Sequence, residues 1–149
     1  MAKHKYIETP EKMWEYFEAY AIETKENPRY KIEYVGKEGE RVKTPLERPL
    51  TMEGFELYLN KQGIIADLSH YFCNLDNRYS EYVAICNRVR KAVRNDQIEG
   101  GMVGQYNASI TQRLNGLKEQ TENTNIEKPI FKGIDLNVED KSENIEQIN

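Results

Sequence analysis

The residues best placed to do chemistry are cations, and the chemistry they suit is phosphate binding. Arg88, Arg90, Lys91 and Arg94 crowd into seven consecutive positions. On a helix Arg88, Lys91 and Arg94 follow at three-residue steps and share a face, and Arg90 and Arg94 stand one turn apart. Such a strip can neutralise nucleic-acid phosphates, the contacts that dominate non-specific affinity. It can equally be a solvated helix face, or one side of ion pairs between subunits. Arg41, Lys43, Arg48 and Lys61 form a second candidate patch, diluted by Glu40, Glu47, Glu53 and Glu56. Catalysis finds less support. The chain has no GxxxxGK[ST] phosphate loop, no GxSxG elbow and no HExxH zinc motif. No carboxylate sits in an apolar run that would shift its pKa for acid-base work. Neither Cys73 nor Cys86 has a Lys or Arg beside it in sequence to activate the thiol. His70 and Cys73 are one helical turn apart, but no CxxC or HxxxH pair completes a metal site. The expectation is a protein without enzymatic activity, metal or cofactor.

These side chains need a scaffold, and 149 residues allow one domain with a real core plus an appendage. No stretch approaches the ~18 to 20 apolar residues of a membrane helix, and the polar Met1–Pro10 lacks a signal-peptide core. A cytosolic protein with two reduced thiols is expected. The ten tyrosines pair apolar rings with hydroxyls that need partners, which suits half-buried or interfacial positions. Net charge is −4, but residues 119–149 hold eight carboxylates and three lysines, so residues 1–118 carry +1. An acidic tail thus masks a body whose cations can still form a local patch.

The elements follow from spacing. Thr9-Pro10-Glu11 starts a helix, with a hydroxyl cap, Pro in the first turn and an acid facing the dipole. Met13, Trp14, Phe17, Tyr20 and Ala21 give it one apolar stripe, and Pro28 ends it near Asn27. Tyr30, Ile32 and Tyr34 alternate with Lys31 and Glu33, Gly36 to Gly39 offers a turn, and Arg41-Val42-Lys43 runs back, so a β-hairpin is predicted. Pro45 and Pro49 form a stiff connector. Thr51 caps a short helix with Phe55, Tyr58 and Leu59 inward, and Gly63 breaks it. A second short helix over 65–74 buries Ile64, Leu68, Tyr71 and Phe72 and completes a helix-turn-helix unit. From Arg78 a long helix carries the stripe Tyr79, Tyr82, Val83, Cys86, Val89 and Val93 up to Gly104, a left-handed terminator. Its interior Gly100 and Gly101 each cost ~1 kcal/mol relative to Ala, a cost that close helix approach would justify. Asn107 caps a last helix with Ile110, Leu114 and Leu117 inward, packed antiparallel on the long helix. Regions are therefore expected at 1–77, at 78–118 (the helical hairpin) and at 119–149, an acidic, partly disordered tail with a possible strand at 129–138.

From about Pro45 to Lys118 the chain resembles phage terminase small subunits. The resemblance is carried by the run from Arg48 to Leu59, by Gly63-Ile64, Leu68 and Tyr71, and by Tyr79-Ser80-Glu81-Tyr82 at the start of the long helix. Its most specific part runs from Gln97 to Ile110, where Gly104-Gln105-Tyr106-Asn107 forms a corner between two helices. The resemblance implies a mainly α, ring-forming protein without catalytic activity. Such a protein binds viral double-stranded DNA, initiates genome packaging and regulates a large terminase that hydrolyses ATP and cleaves DNA. It implies action in the host cytoplasm during phage assembly and absence from the mature virion, with no membrane partner.

Within that frame, Arg88, Lys91, Arg94, Arg90, Arg41, Lys43 and Lys61 are the DNA-binding candidates. Ser69 and His70 join them on the second short helix, although its exposed positions, Ala66, Asp67, Ser69, His70, Cys73 and Asn74, hold no Arg or Lys for base edges. The helical hairpin has more apolar positions than a lone pair of helices can bury. Tyr82, Val83, Cys86, Val89, Val93, Tyr106, Ile110, Leu114 and Leu117 are therefore candidates for a head-to-tail interface that closes a ring. Ile130, Phe131, Ile134 and Leu136 could contact the large terminase by strand addition, form an edge strand of an oligomeric crown, or be an accidental apolar run. Two other classes remain: a dimeric helix-turn-helix transcription regulator, and a structural or adaptor phage protein without DNA binding.

Overall fold

A computed structural model of the protein describes residues 6–117, which fall within a compact unit, Met1–Lys118. The proposed strand at 129–138, its residues Ile130, Phe131, Ile134 and Leu136, and the acidic tail lie outside the described residues. The fold is mainly helical, with one small antiparallel sheet: α1 (Pro10–Glu26), β1 (Arg29–Val35), β2 (Glu40–Leu46), α2 (Met52–Lys61), α3 (Ser69–Phe72), α4 (Val83–Met102) and α5 (Ala108–Leu114). No helix among the described residues is long and apolar enough to cross a membrane.

Local chemistry sets the helix starts. The side chains of Thr9, Thr51 and Asn107 each accept a hydrogen bond from a backbone N–H in the first turn of α1, α2 and α5, satisfying donors that the helix leaves unpaired. Gly104 closes the α4 end at a φ of +77°, a conformation open to a residue without Cβ.

The core joins both sides of the expected boundary at residue 77. Met13, Phe17 and Tyr20 of α1 meet Phe55 and Leu59 of α2 and Cys86, Val89 and Val93 of α4. Phe17 and Phe55 pack edge to face with ring centres 5.3 Å apart, and Trp14, Tyr20 and Tyr58 extend the aromatic layer. The buried tyrosines find hydroxyl partners. Tyr82 donates to the Ile7 carbonyl (2.6 Å), and the Ile7 N–H donates to the Tyr71 hydroxyl (3.0 Å), pinning the segment before α1 onto the body. Tyr20 accepts from the Thr51 N–H and donates to the Thr51 carbonyl. A buried hydroxyl without such a partner would cost several kcal/mol, on the order of the penalty for any unpaired polar group.

Four expectations are corrected. The second short helix is a single turn, Ser69–Phe72, rather than 65–74. The chain before it is held irregular by side chains that compete for its N–H groups: Glu56 accepts from Leu68 N and Asp67 from Ser69 N. The chain after it turns through Asn74, Asp76 and Asn77, all at positive φ, so α3 is too short to lie in a groove as a recognition helix. The long helix starts at Val83, after two 3₁₀ turns at Leu75–Asn77 and Ser80–Tyr82. The third correction concerns its stripe. Tyr82, Cys86, Val89 and Val93 are covered within the subunit by α1 and its neighbours, so they have no surface to offer a second copy. By contrast, Ile110, Leu114 and Leu117 were expected to face inward and are 58%, 68% and 42% exposed. In α5 the residue that turns toward α4 is Thr111.

Candidate nucleic-acid interface

Along the outer side of α4 runs an open groove of about 500 Å³, walled by Trp14 of α1 and by Arg88, Lys91, Ala92, Arg94, Asn95 and Ile98. Three cations line it and no carboxylate does. The helical repeat brings Arg88, Lys91 and Asn95 to one side, and α1 packing brings Trp14 up to them. The indole is oriented by its N–H, which donates to Glu18 at 2.7 Å. The Arg88 guanidinium lies 3.7 Å from the centre of the Trp14 ring. Stacking of this kind holds a guanidinium flat and keeps its N–H donors at the periphery, where an anion can meet them. Lys91 is exposed beside it. Arg94 also lines the groove, but it donates to the Asn115 carbonyl at 2.8 Å and so ties the end of α5 to α4.

The remaining candidates are not gathered there. Arg90 points to the other side of α4, donating to the Phe72 carbonyl (2.9 Å) and to Asn87 (3.3 Å), with its guanidinium over the Phe72 ring. It shares that side with Ser69 and with Glu53 and Glu56, whose carboxylates oppose an anion. His70 stands with Asp67 beside Tyr6 and Tyr79. Hydrogen bonds from Ser69 hold the Asp67 carboxyl below the usual carboxylate range, which keeps this neighbourhood negative. Lys61 pairs with Glu23 at 3.5 Å. Arg41 and Lys43 stand on the exposed hairpin. Cys86 lies in the core with its thiol pushed up to about 11 by burial, and Cys73 is exposed. Among the described residues no group of three His, Cys, Asp or Glu side chains converges on a metal position.

Apart from the groove, α4 also carries a polar hub with no sequence signal, because its members are up to 81 positions apart. Lys25 donates to Asp96 (2.5 Å), Glu47 (2.6 Å) and the Tyr106 hydroxyl (2.8 Å). Burial alone would favour the neutral amine, yet the bonds to Asp96, Glu47 and Tyr106 prevail and hold the ammonium above the ordinary lysine range. The same bond from Lys25 holds Glu47 below the ordinary carboxylate range. Asp96 accepts from the Leu50 N–H (2.7 Å), and Gln97 donates to the Leu50 carbonyl (2.7 Å) and accepts from Asn115 (3.0 Å). The connector after β2, the end of α1, α4 and α5 are thereby locked at one point. Trp14 was also missed, because its place in the α1 stripe reads as core. Tyr106, a candidate interface residue, is half-buried in this hub.

Four of the interface candidates are left open to solvent: Val83 on α4, Ile110 and Leu114 on α5, and Leu117 just after it. Ile110 and Leu114 border an apolar depression of about 240 Å³ with Pro49 and Tyr106. Met102 and Val103, at the corner before it, are more exposed still.

A family model described as DNA-packaging protein gp3 matches residues 2–123 of the chain. No curated protein matches it significantly.

Proposed function

The chain belongs to the DNA-packaging protein gp3 family, and from that premise we propose that it is the small terminase subunit of a tailed phage. In this role it binds viral double-stranded DNA, initiates genome packaging, and regulates the ATPase and nuclease of a large terminase without catalysing a reaction itself. It acts in the host cytoplasm and leaves before the virion matures. The observation that carries DNA binding is the carboxylate-free groove in which Arg88, stacked on Trp14, stands beside Lys91 and Arg94. Fixed cations on a rigid helix suit backbone phosphates, and counterions are released when they bind, so the affinity should be strongly salt-dependent. A helix-turn-helix regulator fits less well, because α3 has only four residues.

Assembly is supported by the apolar residues at the α4–α5 corner. Ile110, Leu114, Leu117, Met102 and Val103 form an outward surface that a second copy can cover. A head-to-tail contact of this kind closes into a ring.

The test is DNA binding by the double variant Arg88→Gln/Lys91→Gln. Arg94 is left in place because it also anchors α5. Anisotropy titrations with a short duplex should show binding about tenfold weaker, with the dependence on log salt shallower by about two. Unchanged affinity and slope would remove the groove from the DNA interface.

A further inference from the structure

The β1–β2 hairpin is an arm. Its two strands contact chiefly each other, and neither strand contains a buried residue. A two-stranded ribbon with nothing packed on it is marginal in water, yet this one carries large apolar side chains that would profit from cover. The register places Tyr30, Ile32 and Tyr34 opposite Pro45, Lys43 and Arg41, and residues paired in this way share a face. That face therefore holds two aromatic rings, an isoleucine and two cations, and no carboxylate. Lys43 lies 4.4 Å from the centre of the Tyr30 ring. Tyr34 is 71% exposed and Ile32 47%.

The same chain presents a surface of opposite charge. The exposed residues of α1 are Glu11, Glu15, Glu18, Ala19, Ile22 and Glu26, and their spacing puts them on one side of the helix. Four carboxylates thus surround a small apolar patch in which Ile22 is 59% exposed. The two cations of α1 that flank this side are both paired, Lys12 with Glu15 at 2.7 Å and Lys25 with Asp96 and Glu47. The dimensions agree: a seven-residue strand extends about 23 Å, and the 17 residues of α1 about 26 Å. The arm does not cover its own α1, because Ile22 and Ile32 are both exposed within one copy.

We infer that the Tyr30–Ile32–Tyr34 face of the arm docks on the outward side of α1 in a neighbouring copy, setting Arg41 and Lys43 against its carboxylates and Ile32 against its Ile22. This contact deepens the proposed assembly and rests on it. It is heterologous, one surface giving and another receiving, so it repeats around a closed assembly as the α5 contact does. A duplex is the weaker occupant of this face. Tyr30, Ile32 and Tyr34 make half of this face apolar and exposed, and phosphates offer no apolar cover.

The experiment uses the full chain and measures mass by light scattering across micromolar concentrations, with duplex binding in parallel. Arg41→Glu/Lys43→Glu should raise the concentration needed for half-assembly by about tenfold at moderate salt, and so should Glu15→Lys/Glu26→Lys. The chain carrying all four changes should recover most of the lost assembly, because the two charges have exchanged sides. Circular dichroism confirms that each variant is folded; these positions are at the surface and tolerate exchange. If the parent chain assembles and both reversals assemble as it does, the arm contact is overturned while the α5-based assembly stands. A parent chain that stays monomeric overturns both. Loss of duplex binding with unchanged mass in Arg41→Glu/Lys43→Glu assigns the arm to DNA and overturns the contact.

Discussion

At the scale of single residues, Lys25 organises the molecule. It is the one cation in a cluster where Asp96 and Glu47 both need compensation. The Lys25→Met variant keeps most of the unbranched side chain and removes the charge. It should cost about 2 kcal/mol at neutral pH, because removing one partner leaves carboxylates partly out of water without their cation; this reads as a drop in Tm of roughly 8 °C. The pH dependence has a definite sign. Lys25 has a raised pKa in the fold, so its contribution is complete below its ordinary value of 10.5 and is lost only as pH rises through the higher folded value. Glu47 has a lowered pKa, so its share is present above its ordinary 4.5 and is lost as pH falls through the lower folded value. The gap between parent and Lys25→Met should therefore hold at neutral pH and narrow below about pH 4.5. A gap constant down to the acid transition would mean that the Lys25–Glu47 bond contributes nothing.

At the scale of elements, Gly100 and Gly101 decide how α5 returns along α4. A Cβ on Gly100 would overlap the Tyr106 ring, and one on Gly101 would stand 2.9 Å from a Thr111 methyl. The glycines thus serve the close approach that spacing alone suggested, at a ring and a methyl rather than along a whole helix. Gly100→Ala should destabilise by about 2 kcal/mol, since overpacking outweighs the helix propensity gained. In a Tyr106→Ala background the same change should turn stabilising by up to about 1 kcal/mol. Thermal unfolding of the four proteins measures both; a cost that persists without the Tyr106 ring would refute the steric explanation. The arm is the opposite case, an element whose own residues specify its register and turn but give it nothing to lie on.

At the scale of the whole molecule, covered and uncovered apolar surface divide by element. The α4 stripe is consumed by the subunit's own core, while α5 and the arm are left outward. Ile110→Asp/Leu114→Asp should leave the fold within about 0.5 kcal/mol of the parent in the monomeric state, because neither residue is buried there. It should also shift the mass distribution toward the monomer. An assembly of unchanged mass would exclude α5 from the interface. A net charge near zero over residues 1–118 makes the placement of cations, rather than their number, decide where phosphate can bind.

Much of the fold was legible in the residues alone, where the physics is local. The caps Thr9, Thr51 and Asn107, the left-handed Gly104 and the alternation in β1 each act within a few positions, and each element they specify is present. The shared face of Arg88 and Lys91 was legible too, because helical geometry fixes it. Only the tertiary structure decided which apolar faces are used up. Period shows that a stripe exists, but burial depends on what packs against it, and so Cys86 and Val89 went inward while Leu114 stayed out. It also decided that α3 would be one turn, through side chains from α2 and the preceding loop that take its N–H groups. The Trp14–Arg88 stack and the Lys25 hub lay beyond any spacing rule, because pairs separated by 71 or 81 positions meet only once the chain has folded back on itself.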